Sequence, residues 1–534
     1  MRLLLLGLDG LNWPLLEPLL AAGFLPTLAR LRREGVTAPL LSVLPTQSAA
    51  AWASFMTGQQ PVVHGVFDFL ARQPDGAYRH AKPAPGSTLW AWLNRAGYRV
   101  GAINFPVTYP PDPVQPFQVS GMLSLEQPPF TQPPTLAADI RRDVPDYRLD
   151  LEWQLYADRP AALLADSIQM TQARVRLVET LAARYTLDVL AVAYISPDRL
   201  LHALWWMLDP THPAASARLA AALQPAWETY WRTLDEAVAR TLAAADGANA
   251  AVFIVSDHGF QAAVWQFRVN EWLAQQGWYR SQAGRGRLTS LLRRLDTPSV
   301  QHWRRRLIKD VSRHVGFLAP GAATDWPRTL AFCPWNTQQG IRLNLIGRDP
   351  HGQVAPGAAA ERLLAEIEQA LRAARFGGQP LVGGVVRTAE LLTGPTGAIS
   401  SLAQPDQLPD LLFWLNPPFA GNLQTPGLFT RTGWASGDHA LDGLLLAWGR
   451  GIAAPTTSLS PTPRLIDMAP TVLHSLGLAV PETMQGRVLT ELLQSTPAVR
   501  YQPAAPDLDP STPAALNDSE TADLQERLRG LGYL

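Results

Sequence analysis

Three aspartates stand where three apolar runs stop. Residues 3–8 lead into Asp9-Gly10, residues 189–195 lead through Ser196-Pro197 to Asp198, and residues 250–256 lead into Asp257-His258-Gly259. Runs that are apolar at nearly every position suit strands buried on both faces, as in a parallel sheet. Ligands of such sheets collect beyond the carboxyl ends of the strands. Three carboxylates gathered there repel one another, and a cation is the simplest compensation. Histidines supply further donors. His202 follows Asp198 by four residues, so on a helix the two share a face. His258 is adjacent to Asp257, and His439 lies in Ser436-Gly437-Asp438-His439 just before the apolar run 444–448. Oxygen and imidazole donors without thiolates suit zinc first, with manganese, iron or cobalt as alternatives. Each pair alone is as well read as a surface pair or a common dipeptide; their joint position at strand ends is what points to a metal site.

A nucleophile candidate stands apart from these. The stretch Pro45-Thr46-Gln47-Ser48-Ala49-Ala50-Ala51-Trp52 reads as the start of a helix that runs to Thr57-Gly58. Ser48 near that N-terminus would sit where backbone N–H groups and the helix dipole favour an anion. Without a metal nearby it reads as an ordinary N-cap; beside a divalent ion its hydroxyl becomes a nucleophile.

The elements that must position these groups alternate. Strands are expected at 3–8, 100–105, 189–195, 250–256, 411–415 and 444–448, and helices at 26–34, 89–96, 168–184 and 214–245. This is the pattern of an α/β sandwich around a mainly parallel sheet. Residues 1–8 read as the first buried strand rather than a signal peptide, because Asp9 interrupts the apolar run. A catalytic domain over 1–496 is expected, with surface insertions at about 121–165 and 280–330, followed by a linker and a tail with a short helix over 522–534. The second insertion carries Arg285, Arg287, Arg293, Arg294, Arg304, Arg305 and Arg306 around Trp303. These read either as an anion-attracting cap or as a solvated helix face.

Bulk properties narrow the class. With 47% hydrophobic and 17% charged residues the chain suits an ordered globular enzyme. Lys plus Arg equals Asp plus Glu at 45 each, which gives no support for a nucleic-acid polymer as partner. The single cysteine, Cys333, forms no intrachain disulfide and reads as a buried apolar residue. No apolar run is long enough to cross a bilayer, and a cytoplasmic location is expected.

Taken together, these motifs resemble the alkaline phosphatase superfamily, in its type I phosphodiesterase/nucleotide pyrophosphatase branch. The resemblance rests on Gly7-Leu8-Asp9-Gly10, the Ser48 segment with Thr57-Gly58, Pro61-Val62-Val63-His64-Gly65 and the stretch from Asn104 to Pro111. It continues through Ser196 to His202, Ser256 to Phe260, Gly437-Asp438-His439 and Asp467 to Leu473, in the family's order. It implies an alkaline-phosphatase-like three-layer sandwich and a phosphodiesterase or phosphatase acting on a small phosphate ester. It also implies two divalent metal ions, zinc or else manganese. One would be held by Asp9, Ser48, Asp257 and His258, the other by Asp198, His202 and His439, with Ser48 forming a phosphoseryl intermediate. Two departures bear on specificity. The branch commonly has Thr where this chain has Ser48, and nucleotide pyrophosphatases have Asn where this chain has Ala51. Asn104 is a candidate substrate-binding residue or a structural turn residue, and His64 a chemical or a capping one.

Other readings of the same residues are weaker. A sulfatase wants Pro and Arg after the nucleophile, where Ala50 and Trp52 stand. A phosphomutase wants a substrate domain soon after Ser48, where the strand at 100–105 comes instead. A metal-binding sensor or interaction protein without turnover keeps the ligands but wastes the nucleophile.

Overall fold

The computed structural model describes residues 1–72, 78–125, 129–281, 324–334, 338–393, 408–421, 428–432, 435–495, 497–503 and 516–530. The chain divides into two compact units. The first comprises Met1–Val264, Glu390–Ala403 and Thr432–Leu534, the second Trp265–Ala389 and Gln404–Arg431. The arginine-rich stretch, read as an anion-attracting cap or a solvated helix face, falls almost wholly in 282–323, outside the described residues.

The first unit is built on an eight-stranded sheet. Its strands are β1 (Leu3–Leu8), β2 (Val36–Leu41), β3 (Val100–Ile103), β4 (Pro116–Val119), β5 (Thr131–Gln132), β6 (Val189–Tyr194), β7 (Ala251–Val255) and, after a short β8 (Gly259–Ala262) and β9 (Gly437–Ala440), β10 (Asp442–Gly449). The order is β2-β10-β7-β1-β6-β3-β4-β5. β1 pairs in parallel with β6 and β7, and β3 in parallel with β4 and β6. β10 runs against β7 and β2, and β5 against β4. The mainly parallel sheet is as expected, but run 444–448 is antiparallel. It follows β9 through a tight turn at Leu441 and so enters from the opposite end.

Period-two alternation sorts the strands' side chains into two layers. Leu3 and Leu5 of β1 join one buried cluster with Ala191, Phe253 and Leu445. Leu4, Leu6 and Leu8 join the other with Leu190, Ile254 and Leu446. Helices α3 (Ser48–Thr57), α4 (Leu89–Arg95) and α8 (Met468–Ser475) cover the first face. The second is covered by α1 (Trp13–Ala21), α2 (Pro26–Glu34), most of α5 (Pro160–Arg184) and α7 (Ala217–Ala244), with α6 (Ser196–Leu204) between α5 and α7 in the chain. β2 is an edge strand, so it tolerates Pro39, which lacks a ladder donor.

Two expectations need correction. Run 411–415 is a strand, but of the second unit. There Leu411–Leu415 pairs antiparallel with Val382–Arg387 and Gly340–Leu343, and Leu411, Phe413 and Leu415 pack with Ile367 and Leu371 of helix Ala358–Ala373. An apolar run shows that a strand is buried, not which sheet buries it. The segment 121–165 is not a surface excursion. It adds β5 to the sheet edge and buries Phe130, Leu136, Ile140, Leu151 and Trp153. Cys333 is buried in the second unit, and burial pushes its thiol up to about 12. Near the C-terminus, α9 (Asp518–Gly530) buries Leu524 and Leu528.

The N-terminus of α2 shows how helices are tied to one another. Its N-cap residue, Leu25, offers no side-chain acceptor. Asp235 of α7, only 3% exposed, accepts instead from Thr27 N at 2.8 Å and Leu28 N at 2.9 Å. Those amides have no partner within the helix. Asp235→Ala is expected to destabilise the protein by about 2 kcal/mol. Urea denaturation should show a lower midpoint with an unchanged slope.

Candidate active site

β7, β1 and β6 are neighbours at the centre of the sheet, in a register that pairs Gly7 with Ala193 and with Val255. Their carboxyl ends are therefore level, and Asp9, Asp257 and, one helical turn into α6, Asp198 meet there. All three are at most 1% exposed. Gly10 allows the chain to turn away at φ 77°, and a Cβ there would lie 2.8 Å from the Phe260 ring and 3.3 Å from Asp198 Cα. Gly7 lets the Trp52 ring approach β1 closely, since a Cβ would meet its Cη2 at 2.5 Å. Trp52 Nε1 then donates to Asp9 Oδ2 at 3.0 Å, and Gly10 N donates to Asp257 Oδ1 at 3.2 Å.

The three histidines share one orientation. Nδ1 of His202 donates to Gly437 O (3.2 Å), that of His258 to Gly259 O (3.1 Å) and that of His439 to Thr46 O (2.6 Å). A carbonyl can only accept, so each Nδ1 carries a proton and each Nε2 faces inward. Metal-ligating imidazoles are oriented in this way. His258 Nε2 lies 3.2 Å from Asp257 Oδ2, 3.9 Å from Asp9 Oδ1 and 3.2 Å from Ser48 Oγ. His439 Nε2 lies 3.1 Å from both Asp198 Oδ1 and His202 Nε2, and His202 Nε2 lies 3.4 Å from Asp198 Oδ1. The His258 and His439 rings stack at 3.7 Å. Two metal-competent groups result, Asp198-His202-His439 and Asp9-Asp198-His258, with donors in each within 4.8 Å of one another. Asp198 belongs to both.

Electrostatics explain why a cation fits. Burial, then Asp257 and Asp198, pushes the Asp9 carboxyl well above its usual range. Burial and then Asp198 push Asp257 up to about 7. Burial also works against the Asp198 carboxylate, but His202 and Arg199 hold it well below the usual range. Burial, then His439, keeps His258 neutral far below its ordinary pKa. Burial opposes charge on His439 too, yet its hydrogen bond to Asp198 raises it. His439 Nε2, Asp198 Oδ1 and His202 Nε2 thus converge within 3.4 Å of one another. Asp9 Oδ1 and Asp257 Oδ2 are buried with no hydrogen-bond partner among the described residues. Orphaned carboxylate oxygens facing imidazole lone pairs are the donor set of a divalent cation.

Ser48 is the first residue of α3, wholly buried, and the N-cap is Gln47. Its hydroxyl is thus not the helix cap but lies beside His258. Asn104 is buried just past β3 at φ 65°, its Oδ1 accepting from Tyr147 OH at 3.1 Å, while its Nδ2 has no partner among the described residues. His64 accepts from Val66 N at Nδ1 (3.1 Å), so its Nε2 donates to Ser54 at 2.8 Å. It caps and packs within the first unit. Trp205 stacks on Phe260 and Trp278 packs on Trp272, which makes both packing residues. Residues that spacing did not reveal are Trp153, stacked on His202 at 4.9 Å and 7°, and the buried Arg199 beside Asp198. The only signal for Arg199 is its place between Asp198 and His202 in the same helix.

A family model described as type I phosphodiesterase / nucleotide pyrophosphatase matches residues 3–316. No curated protein sequence gives a significant match. Among solved structures the chain is similar to phosphonoacetate hydrolase from Sinorhizobium meliloti 1021, at 15% identity over 89% of this chain and 95% of that one, with a TM-score of 0.49. It is also similar to human ectonucleotide pyrophosphatase/phosphodiesterase 5, at 13% identity over 93% and 100%, with a TM-score of 0.46.

Without a metal, the raised carboxyls set the sign of the pH dependence. Asp257 has a folded pKa of about 7 against an unfolded value near 3.9. The folded state binds more protons than the unfolded one between those values, so stability falls as pH rises through that window. Asp68, which burial raises to about 7, contributes a slope of the same sign. His64 and His80, which burial lowers to about 3 and about 4, contribute slopes of the opposite sign, so the net slope of chelator-treated protein does not isolate the site. The comparison that isolates the site is therefore wild type against Asp257→Asn, whose slope should be less negative. Zinc added at pH 8 should raise the wild-type melting temperature. Equal slopes in the two proteins would contradict the assignment.

Proposed function

Because the chain belongs to the type I phosphodiesterase/nucleotide pyrophosphatase family and so is a phosphoric ester hydrolase, we propose that it cleaves small phosphate diesters or monoesters through a covalent intermediate on Ser48. What carries the reading is one observation: two buried groups of carboxylate and imidazole donors share Asp198, and the Ser48 hydroxyl lies 3.2 Å from His258 Nε2 of one of them, with Asp9 Oδ1 and Asp257 Oδ2 lacking a hydrogen-bond partner among the described residues. Asp9, Ser48, Asp257 and His258 would hold one divalent ion, zinc or manganese, and Asp198, His202 and His439 the other. Bound there, the two ions would make the serine hydroxyl more acidic and offset charge growing on the phosphoryl oxygens.

The chain's own groups do the rest. The N-terminus of α3 holds Ser48 and directs backbone N–H groups toward a phosphoryl group. Ser48 Oγ attacks phosphorus in line with the leaving group; the Oγ–P bond forms as the ester P–O bond breaks, releasing an alcohol. Water then attacks the phosphoseryl phosphorus, breaks the Oγ–P bond and restores Ser48. The carbonyls of Thr46, Gly259 and Gly437 keep each imidazole in one tautomer throughout. Asn104 Nδ2 is a candidate donor to substrate, being buried and unpartnered. Ala51 offers no side-chain donor where nucleotide pyrophosphatases have Asn, so simple diesters and monoesters are better first substrates than nucleotides.

Turnover of p-nitrophenyl phosphate and bis(p-nitrophenyl) phosphate tests this. Ser48→Ala is expected to reduce both rates by about 10³-fold or more while leaving the melting curve of the metal-loaded protein intact. His439→Ala should lose activity that excess zinc partly restores. Wild-type rates in Ser48→Ala would remove the covalent step.

A further inference from the structure

Arg199 is a long cation that is only 1% exposed. Its guanidinium is shared between two carboxylates. Nε and Nη2 take Asp150 as a fork, at 2.8 Å to Oδ1 and 3.1 Å to Oδ2. Nη1 donates to Asp198 Oδ2. The other face of Nη2 meets Met122 Sδ at 3.2 Å. Asp198 is thereby divided: Oδ2 is taken by Arg199, and Oδ1 alone faces His439 and His202, at 3.1 and 3.4 Å.

This arrangement does not follow from helix geometry. Consecutive residues of α6 point roughly 100° apart, so Arg199 must fold back to reach the residue before it. Asp150, from the irregular stretch after helix Leu136–Asp143, fixes it there by gripping the far side of the fork. A mere tie between that stretch and α6 would need the Asp150 half of the contact and not the Asp198 half. Arg199 helps to keep Asp198 ionised, and because Asp150 grips the other side of the guanidinium it also orients that carboxylate.

We propose that Arg199, locked by Asp150, is a positioning residue that limits Asp198 to one inward-facing oxygen and so sets the affinity and geometry of the Asp198-His202-His439 half of the site. The proposal rests on the metal reading given under Proposed function. A lysine could not substitute, since a point charge has no fork to engage both carboxylates.

The test uses the full-length protein, zinc alone as the probe, and a chromophoric chelator in competition. Arg199→Gln/Asp150→Asn removes both charges of that pair together, so that Asp150 is not left as an unpaired anion, while Asp198 keeps its contacts with His202 and His439; Arg199→Lys keeps charge and loses the fork. Wild type should hold two ions. Both variants should hold one of the two roughly 10–100-fold more weakly, and kcat should fall more than KM changes. The cobalt(II)-loaded variants should also show altered visible absorption, because Asp198 is then free to bind through both oxygens. The metal-free variants should melt within a few degrees of wild type. Unchanged zinc affinity and cobalt spectrum would overturn the proposal and leave the pair a structural salt bridge. Should the double variant not fold, Arg199→Lys reads the same two quantities. Wild type that binds no divalent ion would instead sink the metal reading itself, a result separate from loss of binding in the variants alone.

Discussion

Mutual repulsion among Asp9, Asp198 and Asp257, buried together at the ends of three adjacent strands, is the constraint around which the first unit is organised. Coulomb energies between such groups rise steeply as the surroundings become less polar. The protein offsets only part of it. Trp52 and Gly10 each give one hydrogen bond to Asp9 and Asp257, and Arg199 takes one oxygen of Asp198. Two oxygens are left without a partner among the described residues. A fold selected for stability alone would not retain them, because unpaired buried anions cost far more than the apolar residues that could replace them.

The surrounding elements make sense as supports for that cluster. The two buried layers that clamp the sheet fix the strand ends in register. β8 and β9, paired so that Phe260 faces His439, bring a histidine from far along the chain to the same edge. Backbone carbonyls then lock all three imidazoles with Nε2 inward. α3 begins at Ser48 and buries its whole length, so the hydroxyl is carried on a rigid element rather than a loop. Such second-layer contacts hold catalytic groups to within the tolerance the chemistry needs.

Most of this was legible in the sequence, for a definite reason. Strands buried on both faces are apolar at every position, so their ends are sharp, and an aspartate directly after each end is conspicuous. Histidine spacing on a helix and beside a turn is equally local information. The unread parts depend on contacts between distant segments. Asp150 pairs with Arg199 and Trp153 stacks on His202 through a stretch whose Pro- and Asp-rich composition reads as surface. Pro39 hides the edge strand β2, which is possible only because no neighbour needs its missing amide. Run 411–415 reads correctly as a buried strand yet belongs to a different sheet, a distinction that pattern alone does not contain.

The central claim is that the carboxylate cluster exists to hold divalent cations. Anomalous scattering from crystals of the protein grown with zinc tests it most directly. The account predicts two peaks, one near Asp9, Asp257, His258 and Ser48, the other near Asp198, His202 and His439. Well-ordered density for these side chains with no anomalous peak among them, at saturating zinc and neutral pH, would contradict it.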